Sequence, residues 1–231
     1  MKKHGKNYVE ASKSLEKNKV YSKDEAIKLL KEISKRKFDE TVDVAFKLNI
    51  DAKKTDMNVR SSIVLPHGTG KTKKVLVLTK SMVKEANEAG ADYVGGEELI
   101  EKISKESWFD FDAIVATPDI MVPLGKIGKI LGPKGLMPNP KLGTVTNNVK
   151  VAVTNIKKGQ VEFKNDSFGN VHAIIGKLSF DEKSLDENFI ALYREVVKNK
   201  PTTAKGEFIK NISISSTMSP GLKVDKNSFD K

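Results

Sequence analysis

Cysteine is absent from the 231 residues, which excludes disulfides, thiolate metal sites and a cysteine nucleophile and suits a reducing compartment. Histidine is nearly as scarce: His4, His67 and His172 stand far apart with no metal-ligand spacing, so no metal is expected. Aromatic residues make up 6% of the chain, too few for base stacking to be the main device of a nucleic-acid binder. No apolar run of signal-peptide length follows the basic start MKKHGKNYVEASKS, and none elsewhere approaches a membrane span. The expectation is a soluble, cytoplasmic protein with no membrane partner.

Acidic residues are missing from one long segment. Residues 120–161 hold 7 lysines and no Asp or Glu, whereas residues 81–119 hold 3 Lys/Arg against 10 acids, and residues 1–37 hold 12 against 5. The acidic stretch reads as solvated helix faces. The whole chain carries +11, with a pI near 9.5. Excess Lys and Arg gains free energy by releasing counterions from a polyanion, which makes nucleic acid the leading partner.

Periodicity supplies the organisation. Ser22 to Glu25 reads as a capping box opening a helix over 23–34. Val42, Val44, Phe46, Leu48 and Ile50 alternate with polar neighbours as a strand with one buried face, and Val59 to Leu65 runs back after a turn. From Lys74 the texture changes to short strands (74–79, 92–94, 112–116) alternating with helices (82–89, 97–105, one capped by Asp119 and running to Ile130, and 148–157). That alternation predicts a small parallel sheet with helices on its faces. Strands 161–164 and 171–180 then flank the turn NDSFGN, a helix starts at Asp181, and Phe208, Ile212 and Ile214 alternate along a closing strand. The chain therefore reads as a split α+β first domain, residues 1–66 and 160–231, interrupted by an inserted α/β domain, residues 67–159.

The stretch LPHGTGKT, residues 65–72, ends like a phosphate-binding loop and raises the alternative of a nucleotide-binding enzyme. The first glycine of that motif falls on Leu65, and an apolar strand follows where a helix is required. A Gly-rich connector uses the same residues with fewer missing parts. Gly68 and Gly70, together with Gly159 at the return crossing, are then candidate hinge residues.

Residues 125–146, GKIGKILGPKGLMPNPKLGTVT, contain five Gly, three Pro and four Lys. Fixed turns with exposed N–H groups, and Lys126, Lys129, Lys134 and Lys141 spaced along them, suit backbone and shape recognition of a structured nucleic acid. No catalytic constellation emerges. Glu97 and Glu98 open a helix, where the dipole stabilises carboxylates, and His172 between Val171 and Ala173 reads alone as a satisfied core histidine.

The runs KFDETVDVAFKLNIDAKKTDMNVRSSIVLPHGTGKT, AGADYVGGEELIEKI, FDAIVATPDIM, GKIGKILGPKGLMPNPKLGTVT, GQVEFK and SSTMSPGLKVD resemble the universal stalk protein family of the large ribosomal subunit, in its bacterial form, from about Tyr8 to Val224. The resemblance implies an RNA-binding first domain built from both chain ends and a Rossmann-like second domain. It implies no enzymatic activity and no cofactor. Implied partners are large-subunit rRNA, where the family forms the mobile side stalk of the 50S subunit, deacylated tRNA at the exit site, and the messenger of its own operon, which it represses; the free chain would be a monomer. The family's RNA-contacting positions fall on Lys37, Phe38, Thr41, Lys164, His172, Thr217 and Met218, followed by Ser219. Phe38 and Met218 would offer apolar contact, Thr41 and Thr217 hydroxyls for ribose, and Lys37 and Lys164 charge. Without the resemblance, Phe38 would be read as core. Three positions depart from the family: Ser219 stands where Gly is usual, Asn211 where Ser is common, and Lys164 where Arg is common. A serine held at positive φ would cost on the order of 1 kcal/mol, and a lysine reduces a bidentate phosphate contact to a point charge.

Overall fold

A computed structural model describes residues 5–16, 19–34, 36–204 and 206–229; His4 lies outside them. Helices α1 (Lys6–Lys13) and α2 (Lys23–Ile33) alternate with strands β1 (Val20–Tyr21) and β2 (Thr41–Leu48), and β3 (Arg60–Val64) follows. Then come β4 (Val75–Leu78), α3 (Val83–Glu88), β5 (Tyr93–Gly95), α4 (Glu97–Glu106), β6 (Ala113–Ala116), α5 (Met121–Lys126), α6 (Gly128–Leu131) and α7 (Val149–Lys157). The chain ends with β7 (Gln160–Lys164), β8 (Asn170–Lys177), α8 (Glu182–Lys198), β9 (Ile209–Ser216) and β10 (Leu222–Val224). It divides into two compact units, residues 1–70 with 161–231, and residues 71–160.

The first unit is built on a five-stranded sheet of order β1-β10-β9-β2-β8, parallel between β1 and β10 and antiparallel elsewhere. The alternation in β2 sends Val42, Val44, Phe46 and Leu48 inward, all buried. The α8 stripe of Leu185, Phe189, Leu192 and Val196 packs into the same core, the Phe189 and Phe46 rings 6.3 Å apart; each such side chain contributes roughly 1.5–3 kcal/mol on burial. The capping box of α2 is formed: Ser22 Oγ accepts the Glu25 N–H at 3.4 Å, and the Glu25 carboxylate accepts the Ser22 N–H at 3.3 Å. Residues of the opposite parity define the sheet's other face, where Lys223 pairs with Ser213, Ser213 with Ala45 and Ala45 with His172.

In the second unit β5, β4 and β6 form a parallel sheet in that order. All four residues of β4 are buried because both faces are covered. Leu76 and Leu78 join Ile100, Ile103, Leu124 and Leu131 from α4, α5 and α6, whereas Val75 and Val77 join Ala86, Val149, Val153 and Ile156 from α3 and α7. Asp92 ties this unit together, accepting the Val75 N–H at 2.9 Å and lying 3.2 Å from Lys157 Nζ. The Val75 N–H, then Lys157, hold the Asp92 carboxyl below its ordinary range. A group with a depressed folded pKa stabilises above its unfolded pKa and loses that contribution as pH falls through the folded value. Asp92→Asn is therefore expected to be less stable than the parent at neutral pH, with the gap closing at pH values below the usual carboxylate range. A gap independent of pH, measured by denaturant titration, would contradict this.

Three local features differ from expectation. α1 forms in the basic N-terminal stretch without a single buried residue. Asp119 does not cap a helix: Thr117 takes the N-cap position, Pro118 opens a 3-10 turn through Ile120, and the helix beyond is broken into α5 and α6 at Ile127. Pro at the first position is favoured because its missing N–H has no intrahelical partner there. The eighth strand ends at Lys177 rather than Phe180.

Candidate nucleic-acid interface

The residues singled out at both chain ends meet at one end of the five-stranded sheet. The start of β2 pairs with the end of β8 through Thr41 and Lys177, and with the end of β9 through Val42 and Ser216. Thr217 follows directly. Its N–H donates to the Thr41 carbonyl at 3.1 Å, and its Oγ1 accepts the Thr41 N–H at 3.1 Å. Thr41 Oγ1 in turn accepts from Lys177 Nζ at 3.1 Å. The Thr217 hydroxyl also donates to the Thr41 carbonyl at 3.4 Å, so both hydroxyls are fixed in direction and each keeps an acceptor lone pair for a further partner.

The segment before β2 is pinned on two sides. Asp39 accepts the Ser179 N–H at 3.1 Å and the Ser179 hydroxyl at 2.9 Å. Glu40, 1% exposed, accepts the Ser216 hydroxyl at 2.5 Å and the Met218 N–H at 3.0 Å through Oε2; its Oε1 has no partner among the described residues. With Asp39 and Glu40 anchored, Lys37 and Phe38 are held outward, and Phe38 is 54% exposed. The bare expectation of a core phenylalanine fails for that reason. Met218 stands 50% exposed across the same end of the sheet. Two exposed apolar side chains, flanked by hydroxyls and Lys37, form a surface matched to sugar and base faces rather than to a protein interior.

Ser219 is not in the left-handed region, where Ser107 is the one non-glycine among the described residues. Its Oγ accepts the Ser216 N–H at 2.8 Å and donates to the Pro220 carbonyl at 3.1 Å. Serine is therefore accommodated without backbone strain and closes the turn that presents Thr217 and Met218.

His172 is exposed on the open sheet face beside Ala45, not buried. Lys164 is exposed at the end of β7, next to Asn165, which bridges to Val171. His172 lies along the face rather than at the Thr41–Thr217 end, and Lys164 belongs to β7, which pairs with β3 in a separate two-stranded sheet. Lys126, Lys129, Lys134 and Lys141 are all exposed in the second unit. Lys134 Nζ sits 4.3 Å over the Phe109 ring, and Asn139 Oδ1 accepts the Lys141 N–H at 2.8 Å, fixing that turn. Gly68 and Gly70 belong to the packed body of the first unit: the Gly68 carbonyl accepts from Asn188 Nδ2 at 3.0 Å, and a Cβ at Gly70, at φ +71°, would meet Lys177 Cγ at 2.7 Å. Gly159, at φ 94°, follows α7.

Segment 68–72 leads into β4, with no helix N-terminus at its end, so the parts of a phosphate loop are not assembled. No group of three His, Asp or Glu among the described residues could hold a metal, and no described helix is long and apolar enough to cross a membrane. Sequence reasoning missed Glu40. Glu40 sits just ahead of an alternating strand, and its burial depends on Ser216 and Met218, 176 and 178 residues away.

A sheet end dressed with hydroxyls, exposed apolar side chains and lysine, in a chain of +11, presents the kinds of group that RNA recognition uses. The match to known proteins narrows this. The model of the ribosomal protein L1p/L10e family matches residues 30–220, and the chain belongs to that family. It is 61% identical over 92% of its length to the large ribosomal subunit protein uL1 of Mesoplasma florum, of which it covers 94%. It is 58% identical to the proteins of the same name from Mycoplasma capricolum and Mycoplasma mycoides, covering 97% of this chain in each case and 100% and 99% of theirs.

Proposed function

We propose that this protein is a structural constituent of the large ribosomal subunit that binds large-subunit rRNA through the first unit. The observation that carries the reading is the juxtaposition of Phe38 and Met218, half-exposed, with the Thr41 and Thr217 hydroxyls at one sheet end. RNA-specific contact needs hydroxyl partners for the 2′-OH and apolar faces for unstacked bases. Lys37, Lys164 and His172 extend the contact along the strand edges, and Ser219 closes its turn. In this reading residues 1–66 and 160–231 form the rRNA-binding domain, and the Rossmann-like inserted domain, residues 67–159, carries the basic loop of Lys126, Lys129, Lys134 and Lys141 toward exit-site tRNA. Gly68, Gly70 and Gly159 serve the connectors as the stalk moves. The same surface takes a segment of the operon's own messenger and represses its translation. The protein works in the cytoplasm and is a monomer when free.

The test is binding of the purified chain to a fragment of its own large-subunit rRNA, competed with the leader of its own messenger. With about six phosphates contacted, log affinity should fall against log salt with a slope near −5, and the leader should displace the fragment. A slope near zero, or equal affinity for unrelated duplexes, would overturn the assignment.

A further inference from the structure

Beside the Thr217–Ser219 turn lies a groove of about 540 Å³ whose opposite wall comes from Lys6, Asn7 and Tyr8 of α1 and from Arg36. Its volume is in the range of ligand-sized clefts. Among the described residues no carboxylate lines it, and neither Lys6 nor Arg36 is engaged in an ion pair. A second groove of about 430 Å³ shares Arg36, Met218 and Ser219 but is bordered by Glu10, Glu32 and Glu40. The two sides of the same turn are thus opposite in character, one cationic and one acidic.

We propose that the cationic groove is a further RNA subsite, taking the strand that continues from the Thr217–Met218 contact, with phosphate at Lys6 and Arg36 and a sugar or base against the half-buried Tyr8. This rests on the reading of that turn as RNA-binding. Charge complementarity sets the direction, because a polyanion leaving Met218 is drawn toward Lys6 and Arg36 and repelled from Glu10 and Glu32. Continuity sets the occupant, since Thr217 and Met218 line the groove themselves. α1 buries no residue, so its place beside the turn is not demanded by the core. A helix of eight residues is marginal alone, and a ligand bridging it to Arg36 would stabilise it there.

The experiment uses the full chain and the fragment of its own large-subunit rRNA, with affinity measured across a salt series. Lys6→Ala and Arg36→Ala should each make the salt slope shallower by about 1, and the double variant with Tyr8→Ala should bind at least about tenfold more weakly at fixed salt. Lys13→Ala, an equal charge change at the other end of α1, should leave the slope at the parent value. If the groove variants bind like the parent while Thr217→Val loses affinity, the subsite is wrong and the wider reading stands. If Lys13→Ala matches Lys6→Ala, the effect is net charge and the subsite is equally overturned. If Thr217→Val binds like the parent, the underlying reading fails and the subsite with it.

Discussion

Replacing Asn188 with leucine should cost the first unit about 1–3 kcal/mol of stability. Asn188 is 0% exposed on α8. Its Oδ1 accepts the His67 N–H at 3.0 Å, and its Nδ2 donates to the Gly68 carbonyl at 3.0 Å and the Ile175 carbonyl at 2.8 Å. One side chain thus joins the helix to the last turns of β8 and to the connector leaving the first unit. Leucine matches the volume but satisfies none of the three backbone groups. A buried group deprived of its partner costs roughly 1–3 kcal/mol, and of the three only His67 and Gly68, on the surface segment, have ready access to water. Glu187→Gln is the matched control. It disturbs only the exposed His67–Glu187 contact at 2.6 Å, and exposed pairs contribute at most about 1 kcal/mol. Denaturant titration of both variants checks the contrast; a loss below about 1 kcal/mol for Asn188→Leu would mean that water or rearranged partners replace the amide.

Elements whose signal is local could be read from the sequence, and those assembled from remote partners could not. Ser22 and Glu25 announce α2 because both halves of the capping box lie within one turn. The alternation from Val42 to Leu48 announces β2 because one buried face has period two. β1, of two residues, owes its existence to Val20 and Tyr21 meeting Lys223 and Val224, and β10, of three, to Leu222–Val224 pairing with β9; the β1–β10 pairing leaves no trace at either site. α1 has no capping side chain and buries no residue. At the candidate interface the alternation was informative and underused: Val171 and Ala173 are buried, so period two turns His172 outward. Phe38 is different. Its exposure follows from Asp39 gripping Ser179 and Glu40 gripping Ser216 and Met218, and only the resemblance to the stalk family singled it out.

Phe38→Ala and Met218→Ala are each expected to weaken binding to the rRNA fragment by about 10–100-fold while leaving the fold intact. Contact of an aromatic side chain with a base is worth roughly 1–3 kcal/mol on truncation, and each 1.4 kcal/mol is a factor of ten. Because Phe38 and Met218 are 54% and 50% exposed, removing them leaves no cavity, and stability should change by no more than about 0.5 kcal/mol. Neither residue carries charge, so the salt slope should stay at the parent value, whereas Lys37→Ala should make it shallower by about 1. This separation distinguishes apolar contact from phosphate contact on the same few residues. Phe38→Leu should recover part of the lost affinity by area alone and fall short of the parent by the contribution of the flat ring. If Phe38→Ala binds normally, or if its loss of affinity tracks a loss of stability, the exposed ring serves the fold or a different partner, and the sheet end of Thr41 and Thr217 must hold RNA without it.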